Sequence, residues 1–386
     1  MAAADRGAPS IGGVKTSTDL LVVGSGILGL AIAFRAHRQG RSVRVVDAAD
    51  RPVGASIQNF GHACFTGQAD VIQDVAASAR EGWLDAARAA GFWAAESGTH
   101  IPAATETEAR VLEEFAEHRG SDQVTLLTRE QVARAVGNPE LRAHSGAHLP
   151  RDMRVNPREA APVLARWLAS EGVEFTWRTR VFTVADGVAR TSRGEIHAAE
   201  IVVCPGVQME QMFPEIAERH GVRACTLVMS LIERPAPVPG DLALLTGTSL
   251  ARYDGFTAMS SAAALGEELA QREPELVGCK ANLMATAIPG GVLVGDSHAY
   301  DVSPEPFVEE ELGDLLLDRA TGYLGIEQPV VKQRWLGCYA DSATTNLVLE
   351  HPDPRTTVVV VTSGIGMTLS FGIAELALSG GSFPGF

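Results

Sequence analysis

Residues 19–50, DLLVVGSGILGLAIAFRAHRQGRSVRVVDAAD, read as strand, glycine turn, helix and strand, and no other feature constrains the fold as much. Leu20–Val23 is a short apolar run of strand character. Gly24, Gly26 and Gly29 then form G-x-G-x-x-G, and apolar and small residues recur from Ile27 to His37 as on a buried helix. Gly40 stops that helix, and Val43–Val46 supplies a second strand closed by Asp47. The crossover has the length of a parallel βαβ unit. Gly24 allows the tight turn, Gly26 lets backbone approach a diphosphate, and Gly29 lets the helix sit close to the strand. The helix start behind Ser25 and Ile27 offers free N–H groups to a pyrophosphate. Asp47, 21 residues beyond Gly26, is placed to accept hydrogen bonds from a ribose diol. These residues predict a dinucleotide site.

A second glycine loop chooses between nicotinamide and flavin. RTTVVVVTSGIGMTLSFGIAELAL repeats strand, glycine turn and helix near the C-terminus, with Gly364, Ile365, Gly366, Met367 and Thr368 at the turn. A nicotinamide dinucleotide needs one pyrophosphate helix. A flavin also benefits from a second helix start aimed at the pyrimidine end of its ring, where reduction places negative charge. FAD is the expected cofactor.

Between these ends, residues 71–149 read as mostly helical, with a polar break near 97–107. Asn156 and Pro157 are an N-cap and first-turn pair for another helix. Strands are expected at 173–177 and 180–185, at the end of EIHAAEIVVCPG, and in several short pieces from 222 to 300; an acidic amphipathic helix covers 308–323. The expected fold is a discontinuous Rossmann-like α/β domain over 18–90, 150–222 and 331–386. A β-sheet substrate domain is expected over 91–149 and 223–330, with 1–17 a flexible tail. The net charge of −15 argues against a nucleic-acid surface. Five scattered cysteines with no CxxC or Cys/His cluster predict neither a disulfide framework nor a metal site, and fit reduced thiols in a cytoplasm. No apolar run approaches the roughly 20 residues that span a bilayer.

Together these segments resemble the superfamily of FAD-dependent D-amino-acid, glycine and sarcosine oxidases. The similarity runs through the N-terminal loop, RPVGAS (51–56), RVNPREAAPVLARWLASEGVEF, IVVCPG and SGIGMTLSFGIAE. GASIQNFGHACFTGQ, LVGDSHAY and TSGIGMTLSFG look most like a bacterial subgroup associated with aminophosphonate breakdown. The resemblance implies a D-amino-acid oxidase-like fold in which two domains meet at the flavin. It adds Ala48, Ser56, Asn59, Gly61, His62, Val181, Pro205 and Gly206 to the cofactor set, with Val181 toward the adenine. Two departures matter. Where glycine oxidases clamp a carboxylate with the Arg of W-x-G-x-R, Trp335-Leu336-Gly337-Cys338-Tyr339 has Tyr339. Where sarcosine oxidases place a lysine near the flavin, Leu293 stands. Cys338 is one place out of register for the sarcosine oxidase flavin linkage, so non-covalent FAD is expected.

Oxidising an amine at a flavin needs positioning and desolvation more than a dedicated acid. His62 is a candidate for polarising the ring, holding substrate or assisting oxygen chemistry, the alternative being a hydrogen-bonded structural histidine. His298, Tyr300 and Tyr339 are candidates to face substrate. Arg252 with Tyr253, Lys280 and Arg334 are candidates for an anionic group. The expected reaction converts a small amine, including an N-alkylated aminophosphonate, to an imine that water hydrolyses, with O2 giving H2O2. Alternatives are a flavin dehydrogenase of amino or hydroxy acids passing electrons to a quinone or carrier, and a flavoprotein without turnover. The oligomeric state is not readable.

Overall fold

The structure is a computed structural model that describes residues 18–381; the expected tail at 1–17 lies outside the described residues. Thr18–Val23, the helix Ile27–Arg38 and Val43–Val46 form the βαβ unit, and both strand pairs are parallel. Thr18–Val23 lies between Val43–Val46 and Gly194–Val203; Thr356–Val361 extends the sheet on one side and Glu174–Thr176 on the other. Segments from both ends of the chain thus share the parallel core of one mixed sheet, which antiparallel strands extend. Strand alternation splits its side chains cleanly. Leu20, Val22, Val202 and Val359 point into one core, Leu21, Val23, Ile201, Val203, Val358 and Val360 into the other.

The first of these cores is where the helices pack. Trp83 of the helix Gln73–Ala90 lies 5.0 Å, centroid to centroid, from Phe371 of the C-terminal helix Gly366–Ser379, and Phe34 approaches the same ring at 5.7 Å. Each such buried aromatic contributes about 1.5–3 kcal/mol. The Trp83 indole N–H donates to the Met367 carbonyl at 2.9 Å, so the packing also fixes the height of the last helix's first turn.

The second sheet is largely antiparallel and centres on the long strand Val222–Ile232. Val331–Ser342, grouped with the nucleotide domain in the sequence reading, pairs with Val222–Ile232 along its length. Three strands occupy the stretch read as helical: Thr99–Ala103, Thr125–Leu127 and Ser145–Leu149 join this sheet, with helices Glu106–Arg119 and Arg129–Val136 between them. Conversely, residues 247–278, read within a strand-rich region, are four short helices. The acidic helix is present at Glu310–Leu324. Among the described residues no helix is long and apolar enough to cross a membrane.

Candidate active site

The glycine turn is packed as its spacing demands. Gly24 has φ +102°, and a Cβ there would lie 2.5 Å from the Cys204 carbonyl oxygen; a Cβ on Gly29 would lie 2.0 Å from the Gly24 oxygen. The end of Gly194–Val203, continuing into Pro205 and Gly206, therefore sits beside the loop, where the Cys204 N–H donates to Val23. Gly26 is different, because its φ of −63° suits any residue. As N-cap it supplies no side chain, and the first turn holds no acidic residue. Ser56 Oγ accepts from the Ile27 N–H at 2.8 Å, while the N–H groups of Leu28 and Gly29 find no acceptor among the described residues.

The C-terminal helix begins in the same state. It has no side-chain cap and no first-turn acid, and the N–H groups of Gly366, Met367 and Thr368 meet no acceptor among the described residues. Other long helices treat their starts differently. Thr105, Thr128 and Asn156 cap theirs, Gln73–Ala90 and Glu310–Leu324 lack a side-chain cap but carry acids in the first turn, and Glu114 accepts from Ser261 at the start of Ala262–Arg272. Two helix starts left open, one over a loop of glycines, fit a ligand that carries a diphosphate at one end and an electron-rich ring at the other.

Asp47 closes the first strand pair. Its Oδ2 accepts from the Ser25 N–H and hydroxyl at 2.6 and 2.7 Å, its Oδ1 from the Ala49 N–H at 2.8 Å. The Asp47 expected to meet a ribose thus also braces the loop beside Ala48, and a carboxylate retains lone pairs beyond these three bonds. Val181 is buried in the core cluster that also holds Val46 and Val203.

One cavity of about 290 Å³ is lined by the second helix start, by strands of the second sheet and by the segment around Asn59. Gly364, Ile365, Met367 and Thr368 border it, as do Asn59, His62, Arg252, Tyr253, His298 and Tyr339. Asn59 shapes the approach by donating to Ala55 and accepting from Gly61. Gly61 crosses the Val155 carbonyl so closely that a Cβ would lie 2.0 Å from it. The Tyr339 hydroxyl stands 3.0 Å from where a Cβ on Gly364 would be.

His62 is turned into the protein. Its Nε2 lies 2.6 Å from Thr99 Oγ1, and Thr99 donates its single hydroxyl proton to Asp152 Oδ2 at 2.7 Å. Thr99 must then accept from Nε2–H, which leaves Nδ1 as a bare nitrogen without a partner. Burial, with the Arg154 charge nearby, pushes the His62 pKa down to about 3, so the ring is neutral. His62, Cys64 and Asp152 place ligand-type atoms within 4.8 Å of one another, a cluster the sequence does not show because Asp152 lies far along the chain from the His62–Cys64 pair. Hydrogen bonds from Thr66 and Thr99 already occupy the Asp152 carboxylate.

Across the cavity, Arg252 donates to the Lys280 carbonyl at 3.2 Å and the Tyr300 hydroxyl at 3.3 Å. Tyr300 in turn lies between the Arg223 guanidinium and Lys280 Nζ, 4.4 and 4.7 Å from its ring centroid. Lys280 and Tyr300 do not line the cavity; they hold the residue that does. Arg334 is a correction. It pairs with Glu310 and Asp314 at 2.6 and 2.7 Å, because strand alternation sends it to the helix face while Trp335, Gly337 and Tyr339 take the other. Arg252 is then the only lysine or arginine on the cavity wall among the described residues.

Sequence reasoning missed Asp296 and Arg154. Burial pushes the Asp296 carboxyl up to about 7, against the lowering pull of Arg252. Its Oδ1 is buried with no hydrogen-bond partner. Arg154 is fully buried without an ion pair among the described residues; it donates to the carbonyls of Leu242, Ala287 and Phe60, joining three separate segments beneath the cavity. Leu293 is buried in the apolar cluster of the second sheet. Cys338 borders the cavity, and burial raises its thiol pKa, away from a thiolate.

A family model described as FAD dependent oxidoreductase matches residues 19–379. No curated protein matches the chain. Among solved structures, glycine oxidase from Bacillus cereus is similar with a TM-score of 0.74 at 16% identity, over 95% of this chain and 96% of that one. An L-proline dehydrogenase from P. horikoshii gives 0.75 at 15% identity, over 95% of each chain. Iminodiacetate oxidase from Chelativorans sp. gives 0.70 at 18%, over 94% and 96%. At these identities the likeness shows the fold.

Proposed function

We propose that this chain, which belongs to the family of FAD dependent oxidoreductases, oxidises the C–N bond of a small amine bearing a singly charged acid group. The observation that carries the reading is the composition of one cavity: an open helix start on one wall and a single arginine, Arg252, on another. Similar folds belong to enzymes named for glycine, proline and iminodiacetate, all amino acids and two of them secondary amines.

Bound FAD supplies an acceptor for the two electrons that leave with the α-hydrogen. The chain's own residues do the rest. The glycine loop and the N–H groups of Leu28 and Gly29 would hold the diphosphate, and those of Gly366, Met367 and Thr368 would face the ring. Arg252, held by Tyr300 and Lys280, would take the acid group and so fix which carbon faces the ring. The neutral ring of His62 and the raised hydroxyl pKa values of Tyr253 and Tyr339 mean that these three groups add no charge of their own there. The balance is R–NH–CH2R′ + O2 + H2O giving R–NH2, R′CHO and H2O2.

One arginine suits a carboxylate or a monoanionic phosphonate better than a dianion, and Arg334 is not available to help. The test is anaerobic mixing of the yellow enzyme with glycine, N-methylglycine, iminodiacetate and their phosphonate counterparts, followed by admission of O2. Bleaching by a secondary amino acid with H2O2 on reoxidation is expected. Failure of every amine to bleach the flavin removes the reading; preference for the phosphonates moves it to that substrate class. Slow return of colour in O2 but fast return with a quinone dye assigns a dehydrogenase.

A further inference from the structure

Three carboxylates border the cavity, and they differ in what they are free to do. Asp341 is paired with Arg223 at 2.8 Å, and Asp254 is exposed on a short helix. Asp296 is 6% exposed, has an orphaned oxygen, and makes no salt bridge with Arg252 although it feels that charge. Beside it, His298 donates Nδ1–H to the Lys280 carbonyl at 2.9 Å, which leaves Nε2 as an acceptor. That Nε2 stands 3.9 Å from Asp296 Oδ2, too far to be bonded to it. Two acceptors therefore sit side by side at the cavity wall with no donor between them. Buried acceptors without donors are costly, and a cation and an anion that share one desolvated cavity without touching leave both charges uncompensated.

We propose that Asp296 and His298 hold the substrate's amino nitrogen, accepting its two N–H bonds, while Arg252 holds the acid group, so that the site is built for a zwitterion. The inference rests on the amine-oxidation reading above. An arriving ammonium has two hydrogens for the two acceptors and a positive charge for the carboxylate. Passage of one of its protons to Asp296 leaves a neutral amine and a neutral carboxyl group. The amine then holds the lone pair that departure of the α-hydrogen requires. A compound with the acid but no amine leaves both acceptors unmet and gains less from the site.

The experiment compares two ligands on the holoenzyme. One is the amino acid that bleaches the flavin best; the other is (methylthio)acetate, an acid without an amine, followed by perturbation of the flavin spectrum. In Asp296→Asn the preference for the amine over (methylthio)acetate is expected to fall about 10- to 100-fold, the weight of a charged hydrogen bond. Asp296→Glu is expected to recover part of it. An unchanged preference in Asp296→Asn overturns the inference while leaving the oxidase reading intact, because the wild-type enzyme is still bleached by amines.

If Asp296→Asn loses FAD, the wild-type enzyme decides by pH. The titratable groups around Asp296 are Arg252, Tyr253, Cys279, Cys225, Tyr339 and His298. Burial raises the thiols and phenols and holds His298 down at about 3, so Asp296 is the group that titrates near 7. Amine affinity is expected to rise with pH through that region and (methylthio)acetate affinity to fall. Parallel profiles for the two ligands overturn the inference.

Discussion

The two ends of the site are made of different material. At the proposed nucleotide end the candidate groups are backbone N–H groups, and the sequence contributes by withholding atoms: no Cβ at Gly24 or Gly29, no cap at Gly26, no acid in either first turn. At the proposed substrate end the candidate groups are side chains from segments far apart, Arg252, Asp296, His298 and Tyr339, gathered by the second sheet and its connections. The first end is broken by adding something, the second by changing a charge.

The largest effect is expected from Gly29→Ala. Its Cβ would lie 2.0 Å from a backbone oxygen that cannot move without the strand, so the cost lies at or above the top of the ~1–3 kcal/mol range for overpacking. Purified protein is expected to be colourless and to melt far below wild type; a yellow, equally stable variant would break the comparison. At the other end, Asp296→Asn is expected to stabilise the substrate-free enzyme at alkaline pH. A carboxyl raised from 3.8 to about 7 means that the folded chain prefers the protonated acid. The resulting penalty is absent below the unfolded pKa, grows as pH rises toward 7 and is full above it. Three units correspond to about 4 kcal/mol at most. Thermal melts should therefore show a gain at pH 8 that shrinks at pH 5; a gain independent of pH would refute the charge account.

Gly26→Asp isolates the missing cap. Its φ suits a side chain and its Cβ would need only the Ser56 hydroxyl, 3.0 Å away, to give a little, so the fold should survive, while a carboxylate in the anion's place lowers FAD affinity by at least about tenfold, measured by flavin release on dilution. Asn156→Ala is the smallest change and the control. Loss of an ordinary cap costs about 1 kcal/mol of stability and leaves FAD binding untouched.

This contrast also explains what could be read before folding. Strand, turn and helix around Gly24–Gly29 and Gly364–Thr368 are local patterns, and the structure has them within a residue or two. The strands Thr99–Ala103 and Ser145–Leu149 are spelled THIPA and SGAHL, with little of the β-branched content that marks a strand; pairing with each other within the second sheet makes them strands. Arg252 and Arg334 were equal candidates as letters. Alternation on one strand sends Arg334 to a helix, and the Tyr300 hydroxyl holds Arg252 at the cavity. Asp296 sits inside the quoted LVGDSHAY segment, but nothing there gives it a role, since its chemistry comes from burial and from a histidine whose tautomer is set by the carbonyl of Lys280.

Arg154 carries a practical lesson for redesign. Its guanidinium grips only carbonyl oxygens, at Phe60, Leu242 and Ala287, and carbonyls are the same whatever side chain follows them. That joint is therefore blind to residue identity on the segments it fastens. An engineer seeking a new substrate can exchange Asn282 or Met284 on the cavity wall without loosening that fastening, provided Arg154 itself is left alone.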